Sequence, residues 1–209
     1  MGIKCLNMPP EDVKRLFEEW NETLIWSCLQ GTMGELYVDS SQTVNSAMAI
    51  LGDFCFFAGK VSKELVLFKP ESCKQDFIIM IPENEAWAEM IETCYGEKAK
   101  KIVRYAIKKE KDVFDKKMLQ KAAEQLPQEY TMQKVTKELF RQCKNTPWCH
   151  DLVSQYPDYE TYQKHGLGVV ILKGNEIVSG ASSYSDYLDG IEIEIDTREE
   201  YRRKAGLSF

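Results

Sequence analysis

The sequence predicts an α/β (α+β) protein in two parts, a mixed α/β segment over residues 1–127 and a segment over 128–209 that ends in consecutive antiparallel strands. Three observations predict it. Val13, Leu16, Phe17, Trp20, Leu24 and Cys28 recur at helical spacing. Residues 77–81, Phe-Ile-Ile-Met-Ile, form a continuous apolar run that ends at Pro82, the pattern of a buried strand. Residues 191–196 alternate isoleucine with an acid at a period of two, as a strand with one packed face does.

Each element follows in chain order. Pro9-Pro10-Glu11-Asp12 opens a helix, because proline suits a first turn and acids there oppose the positive end of the macrodipole; the apolar periodicity carries it to Gly31, a natural terminator. From 34 to 69 the pattern turns strand-like, with strands at 35–38, 47–51 and an aromatic-rich 53–59. The run at 77–81 predicts a central strand, and Ala86, Trp87, Met90, Ile91 and Cys94 predict a helix over 83–95, stopped by Gly96. Alternation predicts a strand over 102–108, and residues 113–126 read as a helix ending at Pro127. The composition shift at Pro127-Gln128 marks a domain boundary. Beyond it come a strand over 130–135, a helix over 137–143 broken by Asn145-Thr146-Pro147, and helical pieces through Leu152 and around 159–162. Residues 167–173 pair with 176–184 through Gly174-Asn175, a two-residue turn that tolerates positive φ, and Asp189-Gly190 turns the chain into the terminal strand.

Composition bounds the function. With 209 residues, 44% hydrophobic and 29% charged, the chain can bury a core, and no run approaches the roughly 20 apolar residues of a membrane helix. Met1-Gly2-Ile3-Lys4-Cys5-Leu6 leads into a polar, proline-containing stretch and reads as no signal peptide. A net charge of −6 argues against nucleic acid and anionic membranes as partners and is compatible with a cationic substrate such as an amine. The seven widely spaced cysteines read as free thiols in a reducing cytoplasm. Cys143, Cys149 and His150, with His165 as a further ligand, are the only cluster that invites zinc; they are read as buried or incidental thiols, with no metal.

The tail carries the chemistry. A basic cluster running into glycine directly after a strand, here Arg202-Arg203-Lys204-Ala205-Gly206-Leu207-Ser208, is a seat for phosphate where a helix starts there. Together with Ile195-x-Thr197-x-x-x-Tyr201-Arg202, and with 168–181 as the second and third strands of the fold, it resembles the GNAT superfamily of acyl-CoA-dependent N-acetyltransferases over residues 130–209. The upstream layout is similar to a bacterial subgroup with a long N-terminal extension. The departures lie in the phosphate loop. If Arg202 anchors it, Ala205 stands where the first glycine belongs; if Arg203 does, the loop from Tyr201 is one residue longer and Ser208 ends the motif.

The resemblance implies acetyl-CoA as co-substrate and a small-molecule primary amine as acceptor. It places Ile193, Glu194 and Ile195 against the pantetheine arm and Arg202, Arg203, Lys204, Gly206, Leu207 and Ser208 at the pyrophosphate. Glu192, Glu194 and Asp196 share one strand face, where mutual repulsion raises at least one pKa and suits a general base; the alternative is a solvent-facing acidic edge. Glu192 or Glu194 is the expected base, and Tyr184 or Tyr187 the expected acid. Because the sequence stops at Phe209, inside this motif, the expectation is a partial domain without the family's pyrophosphate helix and later strands, and of doubtful activity. The other expectation is a non-catalytic module whose open sheet edge is completed by a partner or by a second copy as a homodimer.

Overall fold

The computed structural model describes residues 2–40, 43–105, 110, 113–188 and 190–202. It is a mixed α/β structure in two compact units, residues 1–101 with 185–192 and residues 102–184 with 193–209.

The first unit holds a five-stranded sheet in the order β1-β2-β3-β4-β5. Its elements are β1 (Lys4–Leu6), α1 (Glu11–Leu16), α2 (Thr23–Gln30), β2 (Glu35–Val38), β3 (Ser46–Leu51), β4 (Phe54–Gly59), α3 (Lys63–Leu67), β5 (Ile79–Pro82) and α4 (Glu85–Tyr95). The first four strands are antiparallel neighbours; β5 returns parallel to β4 after the crossover through α3. All six residues of β3 are buried, which explains its run of small and apolar side chains without alternation. Beneath the sheet Trp87 is fully buried, stacked on Phe57 at 5.1 Å between centroids, and its Nε1–H donates to the Gly59 carbonyl at 3.0 Å. That bond satisfies the one polar atom such a ring brings into a core.

Three sequence expectations change here. The helix expected through residues 11–31 is two helices, because Glu22 is extended (φ −127°, ψ 117°) and interrupts the helical backbone; the terminator is as expected, with Gly31 at φ +75°. The strand expected at 77–81 forms at Ile79–Pro82 but lies last in the strand order rather than centrally, and Phe77 is 64% exposed. Proline, with no N–H for a further neighbour, suits that end position. Residues 102–105 lie in no helix or strand, with Tyr105 93% exposed, and 106–108 fall outside the described residues. Alternation alone made that prediction, and a strand needs a packing partner to realise it. Two short elements, β1 and α3, escaped the periodicity.

The second unit carries a four-stranded sheet in sequence order, β6-β7-β8-β9. Its elements are α5 (Lys116–Glu124), β6 (Tyr130–Lys134), α6 (Lys137–Lys144), a 3-10 turn (Pro147–Leu152), α7 (Tyr159–His165), β7 (Gly168–Lys173), β8 (Glu176–Tyr187), β9 (Gly190–Thr197) and a last 3-10 turn (Glu199–Tyr201). β6, β7 and β8 pair antiparallel, with a bulge between Ile171 and Leu172 and a tight turn at Gly174, φ +62°. The helices start where side chains cap them: Asp115 accepts from Lys117 and Met118 N–H, Thr136 from Leu139 N–H at 3.3 Å, and Asp158 from Thr161 N–H at 2.7 Å. The Pro147–Leu152 turn lies close against β8: a Cβ at Gly180 would stand 2.6 Å from Leu152. Leu139, Phe140, Cys143, Cys149, Leu152, Tyr156 and Tyr162 are buried in this unit.

Candidate functional site

The site is built on β8 and β9. The Arg198 amide donates to the Val178 carbonyl at 3.0 Å, and the Ser179 hydroxyl bonds both the Asp196 carbonyl, at 3.2 Å, and the Thr197 hydroxyl, at 2.7 Å. These contacts lay the end of β9 beside the start of β8, an antiparallel hairpin. Ser182 and Ser183 continue the row, paired with Tyr162 at 2.9 Å and Tyr156 at 2.7 Å. Neutral hydroxyl pairs of this kind satisfy buried polar atoms without bringing in charge. At the other end of the hairpin, within the first unit, Ser27 donates to the Asp186 carbonyl at 2.9 Å, the Leu188 amide donates to Gln30 at 3.1 Å, and Trp26 packs on Tyr187.

The amphipathicity of β9 runs opposite to an ordinary strand. Ile193 and Ile195 are 59% and 48% exposed, whereas Glu192, Glu194 and Asp196 are half-buried. The packed face of the alternation is the acidic one, which corrects the alternative of a solvent-facing acidic edge. Burial, followed by the charges of Asp196 and Asp151, pushes the Glu194 carboxyl above the usual range; its opposing influence is the Ile195 N–H. Asp196 is raised by burial and by Asp151, and lowered by Arg202. Glu194, Asp196 and Asp151 therefore act on one another. Asp151 comes from the 3-10 turn, which Pro147 opens at its first position, and it also faces His150 at 3.5 Å.

The other anticipated residues are placed as follows. Tyr184 lies in β8, half-buried, within the second unit, whereas Glu192 groups with the first. Arg202 closes the turn after β9, its Nε donating to the Thr197 carbonyl at 3.0 Å. Tyr201 fixes that turn from below, edge-on to Tyr130 and within reach of the Lys173 ammonium. Arg203, Lys204, Gly206, Leu207 and Ser208 lie outside the described residues. Among the described residues no group of three His, Cys, Asp or Glu could hold a metal ion. Cys143 and Cys149 are buried free thiols; the Cys149 thiol donates to the Thr146 carbonyl at 3.7 Å, and this neighbouring thiol together with burial pushes the Cys143 thiol well above its ordinary value. No described helix is long and apolar enough to cross a membrane.

Asp151 is the functional candidate that sequence reasoning missed. Its signal was a helical piece broken by Pro147, but the approach of that piece to β9, 45 residues later in the chain, is a tertiary fact. β9 is the last strand of its sheet among the described residues, the position at which an extended, amide-bearing ligand can add to a sheet.

No curated protein matches the chain. Among solved structures it is similar to a GCN5-related N-acetyltransferase-like protein from Streptococcus suis. The match has 44% sequence identity and a TM-score of 0.85, covering 94% of this chain and 78% of that one. The profile of the GNAT acetyltransferase family matches residues 14–207. That span includes every strand of both sheets but β1, with the acidic strand and the turn that follows it, and the chain belongs to the GNAT acetyltransferase family.

Proposed function

We propose that the protein transfers an acetyl group from acetyl-CoA to the primary amine of a small molecule. The observation that carries this reading is Glu194, half-buried on an edge strand and raised in pKa by burial, Asp196 and Asp151. An amine must lose a proton before it attacks, and a carboxylate raised toward working pH takes that proton more readily than an ordinary one. Acetyl-CoA supplies the activated acyl group. The open edge of β9 at Ile193 and Ile195 suits the amides of its pantetheine arm, and Tyr184 on the neighbouring strand is the candidate donor of a proton to the departing sulfur. Glu192, on the same face of β9, is the alternative base. Arg202 and the basic residues after it are the candidate pyrophosphate ligands. The uniformly free cysteines support a reducing compartment, and we assign the protein to the cytoplasm.

Release of coenzyme A thiol from acetyl-CoA in the presence of a panel of primary amines tests the reading. Glu194→Gln is expected to lower kcat by about 10²-fold or more while acetyl-CoA binding persists. A variant as active as the parent would remove Glu194 from the mechanism, and absence of thiol release with every amine would remove the reading.

A second reading is favoured by a separate observation. Among the described residues β9 is at the end of its sheet, and it exposes Ile193 and Ile195, the geometry of a strand that pairs with another chain. Under that reading the chain is a binding or self-association module, and its mass in solution depends on concentration.

A further inference from the structure

Ser182 stands beside the candidate base. The Arg198 amide on the Val178 carbonyl and the contact between the Ser179 and Thr197 hydroxyls fix how β9 lies along β8. From Val178 opposite Arg198, an equal count along each strand brings Ser182 opposite Glu194. On its other side Ser182 is paired with Gly168 of β7, so the three residues form one row across the sheet, all within the second unit. Opposite residues of antiparallel strands have Cβ atoms roughly 4.5–5.5 Å apart, a gap that a glutamate side chain spans.

Tyr162 of α7 closes over this row. Its hydroxyl meets the Ser182 hydroxyl at 2.9 Å, and both residues are buried. Gly168 makes room for the pair, since a Cβ there would stand 2.7 Å from the Ser182 oxygen. Ser183 forms a similar pair with Tyr156 at 2.7 Å, and the two tyrosine rings pack edge to face at 4.9 Å. Successive residues of a regular strand point to opposite faces, so two adjacent serines reaching one tyrosine layer mark an irregularity of β8 at the level of Glu194. The two pairs are not equivalent. Ser183 also accepts the Leu167 amide at 2.9 Å, which ties it to the backbone of the chain entering β7. The Tyr162–Ser182 pair holds two hydroxyl protons and uses only one of them in its mutual bond. Burial pushes the Tyr162 hydroxyl up to about 12, so it keeps its proton at any ordinary pH.

We propose that Ser182, backed by Tyr162, is a positioning residue for Glu194: Tyr162 donates to Ser182, and Ser182 donates its own proton to the ionised carboxylate. That hydrogen bond does not depend on the acyl-transfer reading above, whereas its use in orienting a base does. The surroundings of Glu194 give the bond its importance. Burial opposes the charge, as do Asp196 on the same strand and Asp151 on the 3-10 turn, and the Ile195 amide acts the other way. Arg202 acts on Asp196, as does Cys149 of the turn, His150 faces Asp151, and Cys143, Tyr156 and Tyr159 face Tyr162. A half-buried carboxylate in such company needs a further donor to ionise.

Carbon-13 NMR titration of the Glu194 carboxyl in the full chain, with the signal identified by its loss in Glu194→Gln, tests the hydrogen bond in the absence of acetyl-CoA. Ser182→Ala is expected to move the Glu194 titration to higher pH, because a donor to the charged form is lost; Tyr162→Phe moves it the same way by less. Ser182→Thr keeps the hydroxyl and is expected to titrate as the parent does. Ser183→Ala breaks the neighbouring pair, and is expected to lower the melting temperature while leaving the Glu194 titration in place. An unmoved titration in a folded Ser182→Ala variant overturns the proposal, and if that variant does not fold, an unmoved titration in Tyr162→Phe overturns it. Thiol release measured in parallel separates the two readings. The acid limb of the pH–rate profile should move with the titration, and kcat on that limb should fall about threefold or more in Ser182→Ala. A titration that moves while no amine is acetylated would sink acyl transfer alone. Transfer that depends on Glu194, with a titration indifferent to Ser182, would sink the positioning role alone.

Discussion

At the scale of single residues, β9 places its acids against protein and its isoleucines against solvent, and pH should expose that cost. Glu194 and Asp196 have folded-state pKa values raised above their ordinary 4.5 and 3.8. The folded protein therefore holds more protons than the unfolded chain just above those values, and stability falls as pH rises through the window. Asp196→Asn removes one of the two charges, so the variant is expected to be more stable than the parent at pH 7. The gain should disappear below about pH 4, where the unfolded aspartate is itself protonated. Its size is a few tenths of a kcal/mol, because both groups are partly exposed and screened. Thermal unfolding of parent and variant between pH 3 and 8 reads it, and a destabilised variant at pH 7 would contradict the assignment. Asp151→Asn acts on the same cluster without touching β9. By removing a repelling charge it should move the acid limb of the pH–rate profile toward lower pH, since Glu194 then ionises more easily.

At the scale of elements, the second unit depends on small residues and caps that the sequence shows openly. Thr136 bonds the Leu139 amide at the start of α6, and Thr136→Ala is expected to cost about 1 kcal/mol in denaturant unfolding. Gly180 has no room for a side chain beside Leu152, so Gly180→Val should cost about 1–3 kcal/mol and disturb the turn that carries Asp151 and Trp148. The Gly174 turn and the three hairpin strands were legible because they are local: a glycine at positive φ, an alternation of period two. Three others were not. The break between α1 and α2 leaves the apolar spacing intact and shows only as an extended Glu22. The alternation at 102–105 lies in no helix or strand among the described residues. The inward acids of β9 have the same period as outward ones, and only the packed 3-10 turn decides between them. The candidate site was legible as a strand and its carboxylates, whereas the approach of Asp151 to them depends on chain segments brought together from far apart.

At the scale of the whole molecule, two sheets present four edge strands among the described residues, and three of them are blunted. β1 is three residues long, β5 ends in Pro82, and β6 exposes Gln133 and Lys134. Short strands, prolines and lysines are the devices that keep sheet edges from pairing with other chains. β9 has none of them: it is eight residues long and exposes two isoleucines. The same edge is the expected seat of the pantetheine arm, so cofactor binding and self-association compete for one row of backbone groups. Light scattering should show a mass that rises with protein concentration, and Ile193→Lys with Ile195→Lys should return it to that of a monomer. Saturating acetyl-CoA should do the same to the unaltered protein, because whichever ligand occupies the edge excludes the other. A mass that rises with concentration but ignores acetyl-CoA would separate the two surfaces and leave β9 to only one of them. A strict monomer at every concentration would mean that the edge is protected, and the acyl-transfer reading would stand without its rival.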